Sequence, residues 1–421
     1  MREAVLGIDV GTSGVRIVAA GRGNQVLASA ATAMPAPVVE GRRKRQHPQI
    51  WLRALHEAFA ALDLTGLHIR ALAINGTSGT ILPVDGDGQP MAAASMYDDV
   101  AQEEHVAAIT AVAPQETAAR GGTSPLARAI PMQANSSRIL HQADWLAAQF
   151  SGDFSVTDEN NALKSGYDPL LREWPAWMER AGFETKLLPR VVAAGEPTGT
   201  ISVKAAHQFG LPEDVVIVAG TTDGCAAFLA SGAREVGDGV TSLGTTLTLK
   251  LLSAKPVFAP AYGIYSHRIG KMWLAGGASN TGGGALRALF SDDEIKTYSE
   301  MLKPDEPTGL DYYPLAQPGE RFPVNDPGLA PRLSPRPQSG NMFFQGVLES
   351  IATIEALGYA RLAELGASKL ASIRSLGGGA ANRGWTQIRL ARLGVPEADV
   401  LDDQAALGTA RLAWWGIGHA D

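Results

Sequence analysis

The sequence predicts an α/β protein of two related domains facing each other across a central cleft. Three observations carry this. Short β-branched runs alternate with helically spaced stretches through much of the chain. A strand, a Gly-Thr turn and a second strand occur in "VLGIDVGTSGVRIVAA" (5–20) and again in "VTSLGTTLTLKLL" (240–252). The chain has 421 residues, more than one ordinary core accommodates. The expected domains are 1–222 and 223–421, with the final helix free to pack back on the first.

The elements follow in order. "AVLGIDV" (4–10) and "VRIVAA" (15–20) read as a hairpin closed by Gly11-Thr12-Ser13-Gly14. "QVLASAAT" (25–32) reads as a third strand. In 47–63, Trp51, Leu52, Leu55, Phe59 and Leu62 have helical spacing, and Pro48 suits a first turn. "IRALAIN" (69–75) is a buried strand ending at a second Gly-Thr-Ser-Gly, Gly76 to Gly79. "TILPVDGDGQPM" (80–91) is a strand entering an Asp-Gly turn. The stretch 100–212 reads as helices and loops. "DVVIVAG" (214–220) is a buried strand ending at "TTDG". "MWLAGGA" (272–278) is a strand running into the helix-like "NTGGGALRALF" (280–290). A long amphipathic helix is expected over 345–365. Residues 372–395 read as strand, Gly-Gly-Gly and helix, and 399–418 as a short strand and a final helix. The Pro-rich 304–340 reads as a surface loop or cover.

A net charge of -7 argues against general binding to nucleic acid or anionic membranes. The basic run Arg42-Arg43-Lys44-Arg45 reads as a solvated loop; the sharper alternative is attraction of an anionic ligand. Cys225 is the single cysteine, so neither an intrachain disulfide nor a Cys-rich metal site is expected. Asp9 breaks the N-terminal apolar run, and no stretch nears the ~20 apolar residues of a membrane span. A soluble cytoplasmic protein is expected.

Turns of Gly, Thr and Ser offer backbone N–H groups and small hydroxyls at one point, which suits phosphate oxygens. Gly11, Thr12 and Ser13 are one such turn, and Gly244, Thr245 and Thr246 another. Asp9 lies two residues before the first. It either coordinates Mg²⁺ between itself and phosphate, or caps its own turn. Asp223 follows a buried strand and precedes "GCAAFLASGA"; it is either a helix N-cap or a base accepting a substrate hydroxyl proton. Gly377-Gly378-Gly379 would let a flat ligand lie on the backbone, or would allow close strand–helix packing. The chain has no G-x-x-x-x-G-K-[ST], no H-E-x-x-H, and no first-turn G-x-G-x-x-G with its acid about 20 residues on.

Taken together, "GIDVGTSGVR", "GTTDGCAAF", "VTSLGTTLTL", "GGASNTGGGALR", "LGGGAANRGWTQIRLARLGVP" and "QAALGTARLA" resemble the FGGY carbohydrate kinase family of the actin/hexokinase/Hsp70 ATPase superfamily. The resemblance runs from about residue 4 to 416. More narrowly, "INGTSGT", "TDENNALKSGYDP" and "SLGTTLTLKLLS" resemble a compact branch of plant and cyanobacterial xylulokinase-like proteins whose members phosphorylate D-ribulose. Two stretches depart from the wider family. Gly76-Thr77-Ser78-Gly79 stands where xylulokinases carry Met-His-Gly, and Tyr97-Asp98-Asp99-Val100-Ala101 replaces Trp-x-Asp-x-Arg.

The resemblance implies two ribonuclease H-like domains, the actin-like ATPase fold, binding ATP and a sugar. It implies that Asp9 orders Mg²⁺ through water and touches the sugar. Thr12 and Ser13, with Gly11, would face the γ-phosphate, and Gly244 and Thr245 the transferring end. Gly378, Gly379 and Asn382 would line the adenosine pocket, and Asp223 would deprotonate the attacking hydroxyl. Ser78 and Asp99 would contact the sugar; Asn280 is a further substrate candidate, its alternative a helix N-cap. The expected activity is transfer of the γ-phosphate of Mg-ATP to a small ketose or polyol, D-ribulose foremost, by a monomer or homodimer. Xylulose or another polyol is the alternative substrate. A non-kinase ATPase of the same superfamily and a dinucleotide oxidoreductase are the readings from other classes.

Overall fold

The computed structural model describes residues 1–419. The chain forms two compact units: one comprises 1–230, 267–270 and the chain from 404 onward, the other 231–266 and 271–403.

The first unit is built on a sheet ordered Pro197–Thr200, Val216–Thr222, Leu67–Gly76, Arg2–Val10, Gly14–Ala20, Val26–Ala33. Val216–Thr222, Leu67–Gly76 and Arg2–Val10 run parallel; the expected hairpin adds Gly14–Ala20 antiparallel to the last, and Val26–Ala33 pairs antiparallel with it in turn. Arg2–Val10 is buried from Ala4 to Val10, the continuous apolar run of a strand covered on both faces. Trp51 and Leu55 of the helix Pro48–Ala61 join Leu6, Ile8 and Ile17 in one core.

The helix Ala405–Gly416 lies against the first strand. A Cβ on Gly7 would sit 1.9 Å from the Ala406 carbonyl oxygen, so only glycine permits this approach. On its other side, a Cβ on Gly408 would sit 1.9 Å from the carbonyl oxygen of Ala226. This glycine contact also places the helix Asp223–Ala230 in the first unit. The unit's first segment therefore runs to Ala230, eight residues past the expected 222.

The stretch 100–212 holds more sheet than expected. Arg138–His141 closes a second sheet ordered Val38–Glu40, Arg43–Gln46, Ala94–Ser95, Ile81–Val84, Arg138–His141. Residues 43–45 of the basic run are therefore a strand, not a solvated loop, with Arg43 exposed, Lys44 and Arg45 half-buried and Gln46 buried. Its partners decide this, because a charged tetrapeptide carries no strand signal of its own.

In the second unit, Met272–Ser279, Leu247–Ser253, Asp238–Leu243 and Ser372–Leu376 are successive sheet neighbours. The first three pair antiparallel, and Asp238–Leu243 pairs parallel with Ser372–Leu376. The helix Gly340–Glu364 buries Phe343, Phe344, Val347 and Ile351 in one core with Leu247, Leu249 and Leu251. The Pro-rich segment is more than a surface cover: Tyr312, Leu315 and Phe322 are buried, and Tyr312 and Phe322 belong to that core. The short strand expected near 399 is reduced to an isolated bridge between Glu397 and Ile373.

Candidate active site

In the first unit the three parallel strands end level, with Gly76 opposite both Val10 and Thr222. Ligands of open α/β sheets bind at this carboxyl end. One residue back, Asn75 stands between Asp9 and Thr221. Asp9 is 6% exposed, and Arg16 Nη1 donates to its Oδ2 at 3.2 Å. Burial holds its carboxyl above the usual carboxylate range; Arg16 opposes this, while the negative charge of Asp223 adds to it. Asp9 accepts from an arginine on the neighbouring strand and does not cap its own turn.

Asp223 is the first residue of its helix, and its Oδ1 accepts from the Gly224 N–H at 2.7 Å. The capping role falls to Thr222, whose Oγ1 accepts from the Cys225 N–H at 3.4 Å. The other Asp223 oxygen has no hydrogen bond among the described residues. That leaves an acceptor on a half-buried carboxylate at the carboxyl end of the sheet.

The first Gly-Thr-Ser-Gly turns between antiparallel strands, closed by Gly11 N–H donating to Gly14 O at 3.0 Å. The Thr12 and Ser13 hydroxyls make no hydrogen bonds among the described residues, and Ser13 is exposed.

The second copy is held from within. The Thr77 N–H and hydroxyl both donate to Gln142 Oε1 at 2.9 Å. Arg128 Nη2 donates to the Gly79 carbonyl at 2.6 Å, and Gly79 takes φ +94°, a left-handed conformation that favours glycine. Ser78 Oγ is buried and unpartnered, an uncompensated polar atom of the kind a ligand would satisfy. Lys164, whose Cδ lies 3.7 Å from the Cβ position of Gly79, forms no ion pair among the described residues.

Asp99 is not displayed as a sugar ligand. It has no exposed surface, and its carboxylate accepts from the Lys44 N–H at 3.0 Å and Ser95 Oγ at 2.5 Å while pairing with Arg45 at 3.2 Å. It holds the strand Arg43–Gln46 in place.

In the second unit, the turn Gly244-Thr245-Thr246 rests on the first turn of the helix Gly283–Leu289. Gly283 and Gly284 N–H donate to the Gly244 and Thr245 carbonyls at 2.8 and 2.9 Å. Thr245 itself is exposed. The parallel strand Ser372–Leu376 ends level with this turn, Leu376 opposite Ser242, which brings Gly377-Gly378-Gly379 alongside. The glycines differ. A Cβ on Gly379 would meet Trp385 at 2.6 Å and Leu243 at 2.8 Å, so Gly379 serves packing. A Cβ on Gly378 would meet nothing within 4 Å, so its backbone is open to a ligand.

Asn382 caps the helix Arg383–Leu393, accepting from Trp385 N–H at 3.0 Å and donating to Ser299 Oγ at 2.9 Å. Asn280 caps no helix; it is exposed and donates to the Gly319 carbonyl at 2.9 Å. Sequence reasoning did not single out Gln142 or Arg128. Each acts on a turn more than 40 residues away, and no local pattern announces that.

Two family models match the chain: the "FGGY family of carbohydrate kinases, N-terminal domain" over residues 128–230 and its "C-terminal domain" over 239–417. An autoinducer-2 kinase of Yersinia pseudotuberculosis is 26% identical, covering 99% of this chain and 86% of its own. A crystal structure described as a xyloylose kinase from Brucella ovis superposes with a TM-score of 0.86 at 20% identity, covering 99% and 91% of the two chains. Plasmodium falciparum glycerol kinase with ADP superposes at 0.82 and 15% identity, covering 100% and 90%. The fold is the two-domain actin-like ATPase fold, and the protein is a phosphotransferase acting on sugars. The chain belongs to the FGGY family of carbohydrate kinases.

Proposed function

We propose that this kinase transfers the γ-phosphate of Mg-ATP to a hydroxyl of a small ketose or polyol, with D-ribulose the favoured acceptor. The observation that carries the reading is the placement of two acids at one carboxyl end of the sheet: Val10 and Thr222 both stand opposite Gly76, with Asp9 just before the one and Asp223 just after the other. Two acids so placed suit a site where one carboxylate serves a cation and the other accepts a proton.

Asp223 is the base in this reading, through the oxygen left unbonded beside Gly224. Asp9 holds Mg²⁺ through water. The donor set fits, because Mg²⁺ needs only one or two carboxylates when phosphates and waters complete its shell. The ion supplies charge neutralisation at the transferring phosphate. Thr12 and Ser13 bind phosphate oxygens with hydroxyls that no group among the described residues uses. Ser78 Oγ hydrogen-bonds the sugar, which relieves its unpaired burial. Gly244 and Thr245 offer a second phosphate nest, and the open backbone at Gly378 receives the adenosine. Asn382 shapes that loop by capping the helix after it.

The preference for a pentulose rests on the resemblance of "INGTSGT" and "TDENNALKSGYDP" to the ribulose-phosphorylating branch. No helix among the described residues is long and apolar enough to cross a membrane. Cytoplasmic placement is our reading from the single, buried cysteine.

The deciding experiment is a coupled ADP-release assay over D-ribulose, D-xylulose, L-ribulose, ribitol and glycerol, with autoinducer-2 as a further acceptor. D-Ribulose is expected to give the highest kcat/KM. A higher value for any other acceptor overturns the preference, and ADP release indifferent to every acceptor overturns acceptor phosphorylation in this panel.

A further inference from the structure

A cavity of about 200 Å³ lies in the first unit, lined by Arg43, Arg45, Gln102, Arg128, Pro131 and Met132 among others. No carboxylate lines it. Three arginines therefore line one small space, and their partners do not balance their charge. Arg45 pairs with Asp99 at 3.2 Å. Arg43 makes no side-chain hydrogen bond or ion pair among the described residues. Arg128 is 3% exposed and forms no ion pair; Nη1 donates to Ser95 Oγ at 2.7 Å and the Met96 carbonyl at 2.8 Å, and Nη2 to the Gly79 and Thr123 carbonyls at 2.6 and 3.2 Å. Its Nε is buried with no partner among the described residues. The remaining nearby acid, Asp98, is taken by Lys44.

A buried arginine whose hydrogen bonds all go to neutral oxygens is only partly compensated by acids further off, and burying such a charge is costly. The cost shows on Arg128 itself: desolvation, with repulsion from Arg45, pulls its guanidinium down to about 10, against the attraction of Asp99 and Asp98. An anion in the cavity would relieve this. Arginines bind phosphate through paired N–H donors, and three of them match a dianion better than a single carboxylate. The volume is below that of drug-sized pockets, so the ligand is small.

We propose that this cavity is a binding site for a small phosphate monoester, held by Arg43 and Arg45 with the buried charge of Arg128 behind them. It is separate from the phosphate turn at Gly11–Ser13. Arg128 joins it to the turn Gly76–Gly79 through the Gly79 carbonyl. The site does not depend on the kinase reading, since its evidence is charge and space alone.

The test is calorimetric titration of inorganic phosphate into the full chain at fixed ionic strength, so that catalysis plays no part. Arg43→Glu should weaken binding roughly tenfold or more, the value of a charge-assisted hydrogen bond or two. Gln102→Glu, which charges the same cavity without touching the arginines, should do likewise. Arg42→Glu, an equal charge change next door but outside the lining, should leave affinity within about twofold, as expected for an exposed charge. Absence of phosphate binding overturns the proposal, as does equal affinity in wild type, Arg43→Glu and Gln102→Glu; the latter would place the phosphate on the nucleotide turn.

Discussion

Gly11-Thr12-Ser13-Gly14 and Gly76-Thr77-Ser78-Gly79 are the same four residues on adjacent strands of one sheet, and their surroundings are opposite. The first turns a hairpin, follows an acid, and leaves its hydroxyls unbonded, with Ser13 exposed. The second ends a parallel strand, follows Asn75, and is gripped by Gln142 and Arg128 with Ser78 Oγ enclosed. An open turn with free N–H groups and hydroxyls suits a mobile, highly charged phosphate. An enclosed turn with one unpaired hydroxyl suits a neutral polyol, whose recognition needs a fixed geometry. Identical local chemistry is thus suited to different ligands by what each turn packs against.

The largest expected effect comes from the acid that serves both. Asp223→Ala should lower kcat by roughly 10²–10⁴-fold, the usual contribution of a positioned general base. ATP affinity should stay near wild type in equilibrium titration. Turnover near wild type would remove Asp223 from the chemistry.

The comparison is sharpened by truncating one hydroxyl in each turn. Thr12→Ala loses a hydrogen bond to a charged phosphate, about 1.5–3 kcal/mol, and should raise the KM for ATP roughly tenfold or more. Ser78→Ala loses a neutral hydrogen bond, about 1 kcal/mol, and should raise the KM for the sugar about fivefold while leaving that for ATP unchanged. Steady-state kinetics against each substrate decides. If both variants shift the same KM, the two turns do not serve different ligands.

The smallest effect is on stability, beneath the second turn. Asp158 caps the helix Glu159–Lys164, whose last residue flanks Gly79. Its carboxyl is fully buried, and desolvation, reinforced by Asp144, pushes it up to about 7 against the hydrogen bonds from Asn160 and Asn161. A raised acid pKa means that the native state keeps a proton that the unfolded chain has released. Stability is therefore highest below the unfolded pKa of about 3.9 and falls as pH rises towards 7. Asp158→Asn keeps a capping oxygen, and its amide can reach Asn161, whose Oδ1 is buried without a partner. Thermal melts of this variant between pH 5 and 8 should lose that component of the decline. Parallel profiles for variant and wild type would show that Asp158 does not titrate there.

Much of the scaffold was legible because it rests on local patterns. Leu67–Gly76, Val216–Thr222 and Gly340–Glu364 follow from apolar runs and periodicity within one element. What escaped depended on distant partners. The strand Arg43–Gln46 exists because Val38–Glu40 and Ala94–Ser95 bond to it. Asp99 looked like a sugar ligand from its position in the sequence, yet Lys44, Arg45 and Ser95 occupy it. Gln142 and Arg128 shape the second turn from elements far along the chain.

By itself, the sequence determined the alternation of strands and helices, the glycine-rich turns and the order of the FGGY motifs. These depend on side-chain periodicity and backbone freedom, which a short window contains. Only the tertiary structure decided which acid stays open at Asp223, which hydroxyl is left unpaired at Ser78, and which glycine, Gly378 rather than Gly379, leaves its backbone bare. Burial and pairing are properties of neighbours in space, and four identical letters carry no record of them.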